Sequence, residues 1–190
     1  MNVYDFDNTI YRGESTFDFF VYCARKNPAL LRFLPKVMTV VARYKLCRIS
    51  KEELIELVAE YQAEFLKIAG DITELAVGFW DKNMHKIKDF YKTAHRSDDV
   101  ILSASFSFLL DEVASRIGVT NLICSTMDMK TGKVRELCFG DNKPKLFEKY
   151  FPNGIIDNFY TDSLNDMPMI KLAKSSFIVK GNRIKKYKGG

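Results

Sequence analysis

Asp5 and Asp7 flank a single phenylalanine in Asp5-Phe6-Asp7-Asn8-Thr9. Both carboxylates can face one ligand where the strand that carries them ends and curls. Two ionised carboxylates so close repel each other, which is tolerable when a cation lies between them or one holds a proton. A hard divalent metal meets that requirement. Asp162 offers a third carboxylate, completing the oxygen-rich environment that magnesium favours while it keeps some water and a substrate phosphate oxygen. Asp166 follows four residues later, one helical turn on, where it would hold a ligand water or a lysine. Ser103 ends an apolar run and lacks the G-x-S-x-G elbow of a serine hydrolase, so it reads as a phosphate-binding hydroxyl rather than a nucleophile. His85 and His95, the only histidines, stand near no motif that would make a nucleophile–base pair and are expected at the surface.

These side chains need elements to position them. Met1 to Asp7 reads as a short strand that ends in the turn Asn8-Thr9. From Ser15 to His85 the apolar spacing turns helical, through Phe19, Phe20 and Cys23, then Leu54, Leu57, Val58 and Tyr61, then Leu75, Val77, Phe79 and Trp80. Pro28, Pro35 and Gly70 divide that stretch into several helices, an insertion. Val100 to Ala104 is a second strand, followed by a helix from Phe108 to Ile117 that Gly118 closes. A strand at Asn121 to Ser125, a hairpin turn at 129–133 and a strand at Val134 to Phe139 come next, then a helix from Pro144 to Tyr150. Ile155 to Tyr160 and Ser175 to Val179 are the last strands, separated by a helix that carries Asp166. Alternating strands and helices predict an α/β fold, a Rossmann-like, mostly parallel sheet with helices on both faces, whose ligand site lies at the carboxyl ends of the strands. Asp5, Ser103 and Asp162 all fall at such ends.

Composition narrows the class. The 190 residues are 47% hydrophobic and 28% charged, enough for one well-buried domain with a modest insertion. No apolar run approaches the roughly 20 residues of a membrane span. The start Met1-Asn2-Val3-Tyr4-Asp5 lacks a basic, apolar leader, so a cytoplasmic location is expected. Cys23, Cys47, Cys124 and Cys138 show neither C-x-x-C nor Cys-His clustering and read as buried reduced thiols. The net charge of +5 comes partly from the tail after Asn182 and partly from residues 19–51, which hold Arg and Lys but no Asp or Glu. An anionic partner follows from that charge.

Asp5-Phe6-Asp7-Asn8-Thr9 matches DxDxT, Ile101-Leu102-Ser103 matches an apolar strand ending in Ser or Thr, and Asp162 to Asp166 matches DSxxD. The sequence resembles the haloacid dehalogenase superfamily, in particular its phosphoserine-phosphatase-like branch. Thr131-Gly132-Lys133 and Gly140-Asp141-Asn142-Lys143 look like that branch's hairpin and lysine motif. The resemblance implies that Asp5 attacks phosphorus while Asp7 protonates the leaving oxygen and later activates water. It implies a magnesium ion on Asp5, Asp162 and the Asp7 carbonyl, with Asp166 outside that shell. Thr9, Ser103 and the Ala104 amide would bind phosphate, and Lys143 would add positive charge. Lys145 is the other candidate lysine, but Lys143 directly precedes Pro144, at the helix entrance facing the sheet edge. Glu14, nine residues after Asp5, stands where similar phosphatases carry an acidic residue that reaches the substrate; a dipole-favoured helix start is its other reading. Thr161 departs from the glycine often found before DSxxD.

By the same resemblance, residues 1–14 and 86–190 form the catalytic core and residues 15–85 a helical cap inserted between the first two motifs. The implied activity is hydrolysis of a small phosphorylated metabolite, phosphoserine being one candidate. The acid-free stretch, with Arg25, Lys26, Arg32, Lys36, Arg43, Lys45, Arg48 and Lys51 among Leu30, Leu31 and Phe33, would also suit peripheral contact with an anionic membrane and a lipid-phosphate substrate. No recognised nucleic-acid motif accompanies the charge, so a non-catalytic nucleic-acid-binding protein is the remote alternative.

Overall fold

The computed structural model describes residues 1–45 and 61–189. Cys47, Arg48, Lys51, Leu54, Leu57 and Val58 lie outside the described residues. Seven strands form one sheet: β1 (Asn2–Tyr4), β2 (Val100–Phe106), β3 (Asn121–Met127), β4 (Val134–Glu136), β5 (Asn158–Thr161), β6 (Ser175–Lys180) and β7 (Arg183–Lys186). Their spatial order is β4-β3-β2-β1-β5-β6-β7. The five inner strands are mutually parallel, while β4 and β7 close the edges antiparallel. From β1 the chain builds outward through β2 and β3, then returns to the other side of β1 with β5 and β6. The reversal between β1 and β5 is the switch point where open α/β sheets form ligand crevices, and the sequence places Asp5 and Asp162 there.

Alternation along the strands makes two cores. Tyr4 and Ile101 join one buried cluster, and Val3, Val100 and Leu102 join the other. The second cluster is covered by α7 (Asn142–Tyr150) and α8 (Met167–Leu172), through Phe147, Met169 and Ile170. The first is covered by α6 (Ser107–Arg116) and by helices that lie between β1 and β2 in the chain. The sheet is therefore helix-covered on both faces.

Between β1 and β2 the chain forms α1 (Ser15–Lys26), a 3-10 turn at Pro28–Arg32, α2 (Phe33–Lys45), the helical stretch 61–69 (α3), α4 (Ile72–Asn83) and α5 (Asp89–Ala94). Asp71 caps α4 by accepting hydrogen bonds from Thr73 N (2.9 Å) and Glu74 N (3.1 Å). Ile72, Leu75, Ala76, Phe79 and Trp80 form its buried stripe at the 3-4-7-8 spacing of an amphipathic helix, whereas Val77, which the sequence pattern groups with them, falls off that spacing and is exposed. Trp80 ties that stripe to α6, its Nε1 donating to Leu109 O at 2.7 Å. The helix α6 ends where Gly118, at φ 72°, lets Val119 N donate back to Ala114 O at 2.8 Å.

Several boundaries differ from the sequence reading. The fourth strand stops at Glu136 rather than Phe139, and β5 begins at Asn158 rather than Ile155. α7 starts at Asn142, two residues before Pro144, so the proline sits inside its first turn. Asp166 ends a short 3-10 turn, Leu164–Asp166, and precedes α8. The basic tail holds a strand that the sequence reading did not anticipate: Gly181, at φ 59°, turns the chain so that β7 pairs with β6. All four of its side chains are exposed, and its charges discourage further pairing at that edge.

Candidate active site

β1 ends at Tyr4, and the Asp5 amide still donates to Tyr160 O at 2.9 Å, so Asp5 is the first residue past the paired strand. The turn tightens after it: Thr9, Ile10 and Tyr11 amides all donate to Phe6 O, and Asn8 takes φ 56°, a conformation asparagine tolerates. Thr9 is fully buried and its Oγ1 donates to Asp5 Oδ2 at 3.3 Å. From the start of α7, 138 positions away, Lys143 Nζ reaches Asp5 Oδ1 at 2.8 Å. The same ammonium donates to Asp166 Oδ2 at 2.9 Å. Thr161 Oγ1 adds a bond to Asp166 Oδ2 at 2.8 Å. Lys143, Asp166 and Thr161 are buried, whereas Lys145 is exposed.

These charges are held by each other rather than by solvent. Burial pushes the Asp5 carboxyl up, Lys143 works against that shift, and the charge of Asp166 adds to it. Burial alone would push Lys143 down, but Asp5 and Asp166 outweigh it and hold the ammonium well above the usual lysine range. The threonine that departs from the family's usual glycine thus has a task, since its hydroxyl orients Asp166 toward the lysine.

Asp7 sits in a second hydrogen-bonded group. Its Oδ1 accepts from the Ser15 amide at 2.6 Å, the first residue of α1, and its Oδ2 accepts from Ser105 Oγ at 2.6 Å. Ser105 Oγ also lies 2.9 Å from Thr16 Oγ1 and 3.2 Å from Ser15 Oγ. Burial pushes the Asp7 carboxyl up, and the bonds from Ser105 and Ser15 oppose that rise. Ser105 and Ser15 were not picked out from the sequence. The repeat Ser103-Ala104-Ser105 was the available signal, because the second serine lies on the same strand face as the first.

Ser103 is fully buried at the end of the regular part of β2. Its Cα partner is Cys124, yet Phe106 is already opposite Ser125, so β2 bulges through Ala104 and Ser105. Bulges interrupt the ladder and redirect groups beside active sites. Here Ser105 N donates to Ser103 Oγ at 3.1 Å, turning the chain so that Ser103, Ala104 and Ser105 crowd one corner.

Asp162 follows β5, whose Tyr160 is level with Tyr4 of β1. Its carboxyl is pushed up by burial, opposed by Lys180, and raised further by Asp166. Exposed Glu14 accepts from Asn8 Nδ2, and its carboxyl is pushed up by partial burial and then by the charges of Asp7 and Asp162. The structure therefore groups Asp5, Thr9, Lys143 and Asp166 by direct bonds, with Asp7 and Asp162 within electrostatic reach of them and Glu14 within reach of Asp7 and Asp162. His85 is exposed and His95 stacks on Tyr91 at 5.5 Å, both outside this group. Cys23, Cys124 and Cys138 are buried free thiols pushed up to about 12 by burial, which keeps them protonated.

No group of three or more His, Cys, Asp or Glu side chains forms a metal cage among the described residues. A hard divalent cation still suits the donors: Asp5 and Asp162 leave neighbouring strands at the switch point, and burial disfavours the negative charge on both. Two carboxylates and main-chain oxygen leave room for water and a phosphate oxygen, the mixed shell magnesium tolerates.

The family model described as haloacid dehalogenase-like hydrolase matches residues 3–171. No curated protein matches the chain by sequence. Among solved structures, a protein of unknown function from Bordetella pertussis Tohama I is 18% identical with a TM-score of 0.76, covering 93% of this chain and 87% of that one. A phosphoserine phosphohydrolase-like protein from Francisella tularensis is 18% identical with a TM-score of 0.57, covering 93% and 86%. A probable phosphoserine phosphatase from Vibrio cholerae is 13% identical with a TM-score of 0.57, covering 92% of this chain and 55% of that one. At such identities the structural likeness speaks to fold, whereas the family match spans both carboxyl-rim motifs that carry the buried aspartates. The chain belongs to the haloacid dehalogenase-like hydrolases.

Proposed function

We propose that the chain is a magnesium-dependent phosphomonoester hydrolase working through an aspartyl-phosphate on Asp5. The observation that carries this reading is the buried bridge Asp5–Lys143–Asp166 at the sheet's switch point. A lysine sealed between two carboxylates, one of them, Asp166, oriented by Thr161, holds a nucleophile's charge and position together. Asp5, Asp162 and the Asp7 carbonyl would hold magnesium, which offsets the repulsion between an anionic nucleophile and a phosphate dianion.

In the first step an Asp5 carboxylate oxygen bonds to phosphorus as the bond to the leaving oxygen breaks. Asp7 gives its proton to that oxygen; its burial favours the protonated form the step requires. Ser103, Thr9 and the Ala104 amide bind phosphate oxygens, and Lys143 neutralises charge beside Asp5. In the second step Asp7, now ionised, takes a proton from water as the water oxygen bonds to phosphorus and Asp5 is released. Two lower barriers replace one.

We assign residues 1–14 and 86–190 to the catalytic core and residues 15–85 to the helical cap. Glu14, where the cap begins, would receive a positively charged part of the substrate. A small phosphorylated metabolite is the substrate class, as the phosphoserine-phosphatase-like names of the neighbours suggest. A lipid phosphate is the second reading, favoured by Leu31 and Met38, 51% and 59% exposed beside Arg32 and Lys36. Against it, Arg32 pairs with Glu64 at 2.6 Å and Lys36 lies over the rings of Phe33 and Tyr61.

The test is turnover of p-nitrophenyl phosphate and a panel of metabolite phosphates with magnesium and with chelator. Magnesium-dependent release of phosphate, with label from a radioactive substrate trapped on the wild-type chain but not on Asp5→Asn, is the expected result. Undiminished turnover in chelator or in Asp5→Asn would sink the reading. Salt-sensitive sedimentation with anionic liposomes would favour the lipid substrate, and its absence the soluble one.

A further inference from the structure

Beside Asp162 the structure holds a cavity of about 240 Å³ that no step above uses. Its lining includes Arg12, Lys88 and Lys180, three cations, against the single carboxylate of Asp162. They come from three separated parts of the chain. Arg12 and Lys88 lie on two segments that run antiparallel, where Arg12 N donates to Lys86 O at 2.9 Å and Lys88 N to Ile10 O at 2.8 Å. Lys180 ends β6, which overshoots β5 before the chain turns at Gly181, so its side chain reaches back to donate to Asp162 O at 2.6 Å.

The cations are under-compensated. Lys88 is 4% exposed, and its hydrogen bond goes to a neutral group, the Asn8 carbonyl. Neither it nor Arg12 has a carboxylate within ion-pair distance among the described residues; the charge of Asp162 favours the Lys88 ammonium, and burial together with the charge of Arg12 outweighs it. A buried ammonium without a carboxylate contact is costly, and like charges drawn to one half-enclosed space raise that cost. Such an arrangement attracts a negative group into the space. Because Asp162 belongs to the catalytic rim as well as to this cavity, the two are adjacent.

We propose that this cavity receives a second anionic group of the substrate, a carboxylate or a second phosphate, while the scissile phosphate lies at Asp5. This rests on the phosphatase reading and names its substrate class: phosphomonoesters that carry another negative charge within a few bonds. Arg12 and Lys180, both exposed at the cavity mouth, supply charge-assisted hydrogen bonds to that group, and buried Lys88 supplies the field behind them. An ester with an uncharged leaving group forgoes all three.

The experiment compares 2-phosphoglycolate and propanediol bisphosphate with ethyl phosphate and p-nitrophenyl phosphate, in wild type, Arg12→Gln and Lys180→Met, with magnesium. In wild type, kcat/KM for the doubly anionic esters exceeds that for ethyl phosphate, and each substitution shrinks the advantage by about 10- to 100-fold, the scale of one hydrogen bond to a charged group. The phosphoglycolate and bisphosphate arms tell a carboxylate ligand from a phosphate. Equal kcat/KM for ethyl phosphate and both esters that carry a second anionic group, or an advantage that neither variant alters, overturns the proposal. If no ester is turned over, the phosphatase reading fails separately. The cavity is then judged by melting temperature: a rise with propanediol bisphosphate that Arg12→Gln abolishes supports it, and no rise refutes it.

Discussion

Asp5, Phe6 and Asp7 are consecutive, yet they face two different interiors. The aspartates turn to the carboxyl rim, where Lys143 is clasped between two carboxylates and Ser105 holds Asp7. Phe6 turns to a cluster of rings, with Tyr11 stacked at 5.9 Å and Trp80 edge-on at 6.0 Å. Phe79 and Tyr11 complete the cage around Trp80, at 4.8 and 5.5 Å. One interior is buried charge, whose value depends on every partner being present. The other is buried apolar surface, which stabilises in proportion to area and carries no reaction. The contrast shows how one strand end serves both: the ring cluster fixes the turn, and the fixed turn keeps the carboxylates where they can act.

Variants test this division. Asp5→Asn should lower kcat/KM on the order of 10⁴-fold, the scale of losing a nucleophile, with an unchanged circular-dichroism spectrum; residual turnover within tenfold of wild type would break the contrast at its catalytic end. Lys143→Met leaves Asp5 and Asp166 buried without their cation, so it should cost about 3–5 kcal/mol of stability by urea unfolding and also remove turnover. Trp80→Ala should cost a similar 3–5 kcal/mol from cavity formation, but at a temperature where it remains folded its turnover per folded molecule should stay closer to wild type than that of Lys143→Met. Equal losses of turnover would mean that the two interiors are not separable. Thr161→Val removes one buried bond to Asp166 and should cost about 1–3 kcal/mol, with kcat falling less than in Lys143→Met.

The smallest expected effect is a shift in pH profile. Burial pushes Asp5 up to about 7, and the proposed attack on phosphorus requires its ionised form. At limiting magnesium, kcat/KM should therefore fall about tenfold per unit as pH drops below that value. Saturating magnesium favours the ionised carboxylate and should move this limb to lower pH. A limb that ignores magnesium would separate Asp5 from the metal. Ser105→Ala deletes a bond that holds the Asp7 carboxyl down; Asp7 should then stay protonated to higher pH, and the alkaline limb should move upward.

Much of the rim was legible in the residues. The order Asp5, Ser103, Lys143, Asp162 on strand ends and a helix start could be read because strand and helix periods are local, and the same locality revealed Leu75, Phe79 and Trp80 of the α4 stripe, though it also admitted Val77, which is exposed. The choice of Lys143 over Lys145 also followed from its place at a helix entrance. Thr161 was read as a departure, whereas its hydroxyl completes the Asp166 site, a role that needs knowledge of which group lies 2.8 Å away. Ser105 escaped notice because its importance arises from the bulge in β2, and nothing in Ser103-Ala104-Ser105 announces a bulge. The strand β7 was hidden in a basic tail, since a charged edge strand lacks the apolar alternation by which strands are recognised.

The sequence by itself determined the chemical ingredients, their order and the α/β scaffold, because those depend on residue type and on neighbours a few positions apart. Tertiary structure alone decided which groups meet: Lys143 with an aspartate 138 positions earlier, and Arg12 with Lys88 and Lys180 around one cavity. A hydrogen bond or a field acts over a few ångströms, and distances of that size between remote residues are set by how strands register and helices pack, not by the local pattern of the chain.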